Sequence, residues 1–239
     1  VERLNGWFSG LLVDTRRSRC VLFNDRYGMG RLYVRESASG VSFASHVGSI
    51  LAIHAENRQF DPVGLSEVYA MGCTLLDRSL FRGVHLLSPA SAWVFGPGGR
   101  LESRRRYFDC DQWESQEPLS DESFYEELRS VFPGVLAAYL ADPERLGISL
   151  TGGLDGRMIM AWSRAPAGTL PTYSFSSQYR DPQDVRLAAR IAQACGQSHQ
   201  VITVGDEMLT QFHDLAARCV AYSGGSMDVT GAVELYANR

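Results

Sequence analysis

The chain has 239 residues, 45% hydrophobic and 21% charged, with net charge −4 and a pI near 5.8, an ordinary globular composition that can bury a core in one or two domains. All 23 basic residues are arginines, which excludes a Walker-type phosphate loop and Schiff-base or pyridoxal chemistry within these residues, since each needs a lysine. The mild acidity argues against nucleic acid as a partner, and no apolar run is long enough to span a bilayer.

The first half reads as β-rich. Short apolar runs at residues 8–13, 20–23, 31–34 and 41–44 are separated by polar or glycine-bearing turns. A short helix is predicted over 62–71, capped by Asp61 and ended by Gly72. A further strand at 92–95 runs into Gly96-Pro97-Gly98-Gly99. Arg104-Arg105-Arg106, a tight basic run, predicts a solvated turn. The polar stretch between Asp109 and Asp121 predicts a boundary, dividing the chain into domains at 1–112 and 118–239.

Beyond it, Phe124, Leu128, Val131, Phe132, Val135, Leu136 and Tyr139 fall at helical spacing, and Pro133 is predicted to kink or interrupt that helix. Strand and helix then alternate: strand 146–150, helix 157–164, strand 172–175, helix 184–195 ended by Gly196, strand 200–204 and helix 207–222. Such alternation predicts an α/β fold with a doubly wound parallel sheet, which binds ligands at the carboxyl ends of its strands. Phe124, Phe132, Met158, Met160 and Phe212 read as core. The five cysteines are odd in number and widely spaced, with no C-x-x-C and no H-E-x-x-H. They predict reduced, mostly buried thiols of a cytoplasmic protein rather than a disulfide frame or zinc site. Val1 opens without an initiator Met close to an apolar run, and Arg239 closes inside a starting helix, so a piece of a longer protein is expected.

The densest chemical signal is Ser149-Leu150-Thr151-Gly152-Gly153-Leu154-Asp155-Gly156-Arg157, where a buried strand turns into a helix. Glycines let the backbone approach an anion, and a helix N-terminus offers free N–H groups at the positive end of its dipole. Thr151 would add a hydroxyl donor. Asp155 would repel a bare phosphate, so it makes sense beside a cation such as Mg²⁺. The alternative is a tight turn with glycines for packing and Asp155 as a helix cap.

Thr151-Gly152-Gly153-Leu154-Asp155-Gly156 resembles the Ser-Gly-Gly-x-Asp-Ser pyrophosphate loop of the N-type ATP pyrophosphatases. The rest of the chain resembles one branch of them, the glutamine-dependent asparagine synthetases. Leu4-Asn5-Gly6-Trp7-Phe8 is similar to the family's Leu-x-Gly-Met-Phe strand, and Asn24-Asp25-Arg26-Tyr27-Gly28 with Leu32-Tyr33 to its Arg-Asp-Arg-Phe-Gly and Leu-Tyr segments. Phe43-Ala44-Ser45, the Gly83-Val84 to Ala90 stretch, Asp184 with its alanine-rich helix, and Gly196 with His199 continue the likeness in the family's order.

The resemblance implies a partial glutaminase-like domain of the Ntn-hydrolase type, followed by the first part of an adenine nucleotide α-hydrolase-like ATP pyrophosphatase domain. It implies an enzyme that adenylates an aspartate-like carboxylate with ATP and Mg²⁺. Ammonia from glutamine then displaces AMP. The family's terminal Cys nucleophile would precede Val1, and its second catalytic loop and Lys would follow Arg239, so this piece alone is expected to be inactive. Relatives that close lactam rings or macrocycles, or amidate other acids, remain alternatives, as does a non-catalytic nucleotide-binding module. Small-molecule substrates are the expected partners, and a homo-oligomer is left open.

By the same resemblance the ATP-binding residues are Leu150, Thr151, Gly152, Gly153, Asp155, Gly156, Ser174 and Ser176, with Asp155 holding the metal. Gly156 replaces a family serine and loses a hydroxyl. Arg157 could compensate or simply face solvent, since its planar fork suits phosphate. Ser174 and Ser176 share one face of their strand, with a half-buried strand end as the plainer reading. Asp184 is a ribose or substrate candidate, or a helix N-cap. His199 could touch a substrate but reads first as a structural histidine, and Asp228 could reach the site but reads first as a turn residue.

Overall fold

The computed structural model describes residues 3–142, 146–180, 182–226 and 229–238; Asp228 lies outside the described residues. The chain divides into two compact units, Val1–Gln116 with Asp214–Ala232, and Glu117–His213 with Val233–Arg239. Among the described residues, no helix is long and apolar enough to cross a membrane.

In chain order the first unit holds β1 (Ser9–Asp14), β2 (Arg19–Asn24), β3 (Tyr33–Ser37), β4 (Gly40–Ala44), α1 (Val47–Ile53), α2 (Pro62–Met71), β5 (His85–Leu86), β6 (Ser91–Phe95), β7 (Leu101–Arg106) and the single turn α3 (Asp111–Glu114). Two antiparallel sheets result, ordered β1-β2-β6-β7 and β4-β3-β5. Leu22, Leu32, Val34, Leu87, Trp93 and Phe95 form one core cluster, and Tyr33, Val47, Ile50 and Val84 another. Helix α2 has the predicted limits. The Asp61 carboxylate accepts the Val63 and Gly64 N–H groups, Pro62 needs no partner for an N–H it lacks, and Gly72 closes the helix at φ 77°.

Three expectations for this half are corrected. The run 31–34 becomes a strand only from Tyr33, because Arg31 and Leu32 precede the pairing with β4. The three arginines lie in strand β7, not a turn. It is the edge of its sheet, where Arg104 stacks on Trp93 at 4.3 Å and pairs with Glu36, a charged edge that resists pairing with another strand. The cysteines are free but not mostly buried: Cys73 and Cys110 are exposed and the other three half-buried.

The second unit begins with α4 (Asp121–Tyr139), continues with β8 (Ile148–Ser149), α5 (Leu154–Ser163), β9 (Thr172–Ser177), α6 (Gln183–Ala194) and β10 (His199–Val204), and includes parts of α7 (Asp206–Ser223) and α8 (Gly231–Ala237). The three strands pair in parallel in the order β10-β9-β8. The core is Leu150, Met160, Leu170, Ala188 and Ala192. At the end of α6, Gly196 at φ 67° lets the Gln197 N–H return to the Ala192 carbonyl.

Pro133 does not interrupt α4, which runs unbroken through it. A proline removes one helical hydrogen bond, and contacts on either side hold the turn: Phe132 packs edge-on against Trp162 and Leu136 is buried. Phe124 and Phe212 are not core, at 58% and 39% exposure, whereas Met160 is. Helix α5 begins at Leu154, three residues before the expected start, so the glycine turn is tighter than the sequence reading allowed.

Candidate functional site

The loop starts where β8 ends. The Leu150 N–H still bonds the Tyr173 carbonyl at 2.8 Å, and the Leu150 carbonyl accepts the Ser174 hydroxyl at 3.0 Å. Leu150 is fully buried, which anchors the turn to the core. The chain then exposes Thr151, half-buries Gly152 and enters α5 with Gly153 as N-cap.

No side chain caps this helix. The first N–H groups of a helix have no partner within it, so the start of α5 presents donors to an outside acceptor. A side chain at Gly152 would crowd its neighbours. A Cβ there would sit 2.8 Å from Asp184 Oδ1 and 2.9 Å from Leu187 Cδ1, because the first turns of α6 press against the loop. Gly156 is less constrained: a Cβ would meet Leu150 Cδ1 at 3.0 Å.

Asp155 stands exposed in the first turn of α5 but is not its cap. Asp184 likewise is not the cap of α6, a position held by Pro182. It lies in the first turn, with its carboxylate beside Gly152. Two carboxylates therefore flank one glycine turn. Among the described residues no group of three or more metal-ligand side chains gathers.

The other candidate side chains are engaged within the fold. Thr151 Oγ1 accepts the Gly153 N–H at 3.2 Å, so it shapes the turn. Arg157 Nε turns back toward the Gly153 carbonyl at 3.4 Å. The Ser174 hydroxyl is buried and bonded to Leu150 and His199. The Ser176 hydroxyl donates to the carbonyls of Ser177 and Arg180. His199 has Nδ1 2.8 Å from Thr172 Oγ1 and Nε2 3.0 Å from Ser174 Oγ, and burial holds its pKa below the ordinary 6.5.

An open groove of about 470 Å³ lies at the carboxyl ends of β9 and β10, with Phe175, Ser176, Tyr179, Arg180, Asp206 and Met208 on its walls. The Tyr179 hydroxyl donates to Asp206 Oδ1 at 2.6 Å. Tyr179, Arg180 and Asp206 were not singled out from the sequence. The strand rule that ligands gather at carboxyl ends was the signal that could have found them.

In the first unit, a buried pair closes β2. The Asp25 carboxylate accepts the N–H groups of Phe8, Tyr27, Met29 and Gly30. Burial alone would raise this acid, yet those four donors hold it below the ordinary 3.8. The Asn24 amide donates to the carbonyls of Leu87 and Ser88 and accepts the Ser91 N–H, while Tyr107 donates to the Asn24 carbonyl. Two polar residues ending an apolar strand, just before Tyr27-Gly28, were the sequence signal.

Residues 1–108 match the glutamine amidotransferase domain family. The chain is similar to part of a glutamine-dependent asparagine synthetase. Asparagine synthetase [glutamine-hydrolyzing] 3 of Bacillus subtilis (strain 168) is 25% identical over 185 residues, 76% of this chain, and the chain spans 30% of that relative's length. A solved glutamine-dependent NAD⁺ synthetase from Acinetobacter baumannii, in complex with ADP, overlaps 90% of this chain and 53% of its own. That overlap has a TM-score of 0.33 and 13% identity. The chain is thus related to glutamine-dependent amidotransferases and ligases, with a mixed α/β fold of two antiparallel sheets and one parallel sheet.

Proposed function

We propose that the chain is part of an ATP-dependent, amide-forming ligase of the asparagine synthetase type. In this reading residues 1–112 belong to a glutaminase-like domain and residues 118–239 to a doubly wound ATP pyrophosphatase domain. The observation that carries it is the loop at residues 150–153. A buried anchor, a glycine closely packed by the side chains of Asp184 and Leu187, and an uncapped helix start converge on one turn. Together these are the parts of an anion cradle.

The N–H groups at the start of α5 hold the β- and γ-phosphates of ATP, and Thr151 fixes the turn. Asp155 would hold Mg²⁺, with Asp184 as its neighbour for the cation or the ribose. Bound Mg²⁺ neutralises phosphate charge. A carboxylate oxygen of an aspartate-like substrate attacks the α-phosphorus, pyrophosphate leaves into the loop, and ammonia released from glutamine displaces AMP from the acyl adenylate.

Isothermal titration of the chain with ATP and Mg²⁺ tests the cradle. Binding is expected, with loss of about tenfold or more in Asp155→Ala, the scale of a lost charge-assisted contact. Equal affinity in that variant removes Asp155 from the site, and no binding by the folded wild type removes the nucleotide reading.

A further inference from the structure

His199, Ser174 and Leu150 lie in a line across the parallel sheet. The register places His199 directly opposite Thr172. Ser174 is the next residue on the same face of β9, and its hydroxyl reaches the Leu150 carbonyl where the ladder gives way to the loop. Four contacts share the protons of this line: Thr172 Oγ1 with Ser198 O at 2.9 Å, Thr172 Oγ1 with His199 Nδ1 at 2.8 Å, His199 Nε2 with Ser174 Oγ at 3.0 Å, and Ser174 Oγ with Leu150 O at 3.0 Å.

A neutral imidazole and two hydroxyls supply one proton each. Three protons cannot fill four contacts, so one acceptor goes without a side-chain donor, and the tautomer decides which. With the proton on Nδ1, the Ser174 hydroxyl must choose between Nε2 and the carbonyl of fully buried Leu150. With the proton on Nε2, the ring donates to Ser174, Ser174 donates to Leu150, and Thr172 donates to Nδ1. The contact then given up is the one to the Ser198 carbonyl. That residue is exposed, and its carbonyl already accepts the Thr172 N–H at 3.0 Å. Leaving a buried acceptor empty costs more than leaving a solvated one, which selects Nε2–H.

We propose that His199 is a positioning residue for the loop at 150–153: its Nε2–H orients the Ser174 hydroxyl, which thereby stays on the Leu150 carbonyl and fixes the point from which the loop departs. The ring acts in its neutral form, which its burial favours. The consequence for ligand binding rests on the nucleotide reading above; the relay itself does not.

The test uses the full 239-residue chain. Long-range proton–nitrogen spectra of the His199 ring at neutral pH report the tautomer. His199→Gln puts an amide N–H near the Nε2 position, whereas His199→Asn puts one near Nδ1, out of reach of Ser174. The expected result is an Nε2–H ring, with His199→Gln keeping the wild-type Gly152 and Gly153 amide shifts and exchange rates. His199→Asn and Ser174→Ala are expected to shift those amides, speed their exchange and weaken Mg²⁺–ATP binding by about fivefold, the size of one lost hydrogen bond. An Nδ1–H ring overturns the proposal, as does His199→Asn with unchanged glycine amides. If an asparagine variant fails to fold, Ser174→Ala and the wild-type tautomer decide. If the wild type binds no Mg²⁺–ATP, the nucleotide reading falls while the tautomer and the glycine amides still judge the relay.

Discussion

Asp25 is a buried carboxylate held by four backbone N–H groups. Removing the charge while keeping the shape, as in Asp25→Asn, is expected to cost roughly 2–4 kcal/mol, since part of a buried network loses its acceptors. Urea unfolding should show the penalty in full above the ordinary carboxylate value of 3.8 and a shrinking one as pH falls through the lower folded value. His199 gives the opposite chemistry and the same sign. Its folded pKa lies below 6.5, so the unfolded chain takes the proton first. The stability of the wild type relative to His199→Gln is expected to decline as pH drops below 6.5. Gly152→Ala brings its methyl group against the side chains of Asp184 and Leu187, which must shift to admit it. It is expected to lower stability by about 1–3 kcal/mol and to weaken nucleotide binding, read by thermal melting and titration. The glycine itself was legible from its motif. The reason for it was not, because Asp184 and Leu187 are more than thirty residues away in sequence.

At the scale of elements, legibility followed local chemistry. Helix α2 could be read to the residue because its limits are set by Asp61, Pro62 and Gly72 alone. The parallel strands β9 and β10 were legible from alternation with helices. Strand β5 has two residues and α1 has seven; neither carries a pattern long enough to see. Strand β7 was hidden because edge position and cross-strand stacking, not periodicity, explain its arginines. Pro133 was over-read, since flanking packing outweighed one missing bond. Pro133→Ala restores an N–H inside α4, and a higher melting temperature is expected, by a free energy of up to about 3 kcal/mol. An unchanged or lower midpoint would show that the proline ring itself packs.

At the scale of the whole chain, the first unit runs to Gln116 and the second begins at Glu117, within the polar stretch after Asp109. The return of Asp214–Ala232 to the first unit was not legible. Nothing in the periodicity of α7 marks where its allegiance changes. The Tyr33 hydroxyl donates to the Ser223 carbonyl at 3.3 Å, and a Cβ on Gly224 would meet Tyr33 and Val47 within 3 Å. A chain cut after Gln116 loses these contacts. It is expected to melt lower than the full chain, or to lack a cooperative transition, by circular dichroism.

The returning segment also sets an order of events during synthesis. A nascent chain normally completes its first domain while later ones are still being made. Here the earliest-made unit waits for residue 232 to leave the ribosome, with the whole parallel sheet emerging in between. The Tyr33 and Val47 surface that the returning segment covers therefore stays open through the translation of about half the chain, an interval in which a chaperone has the most to protect.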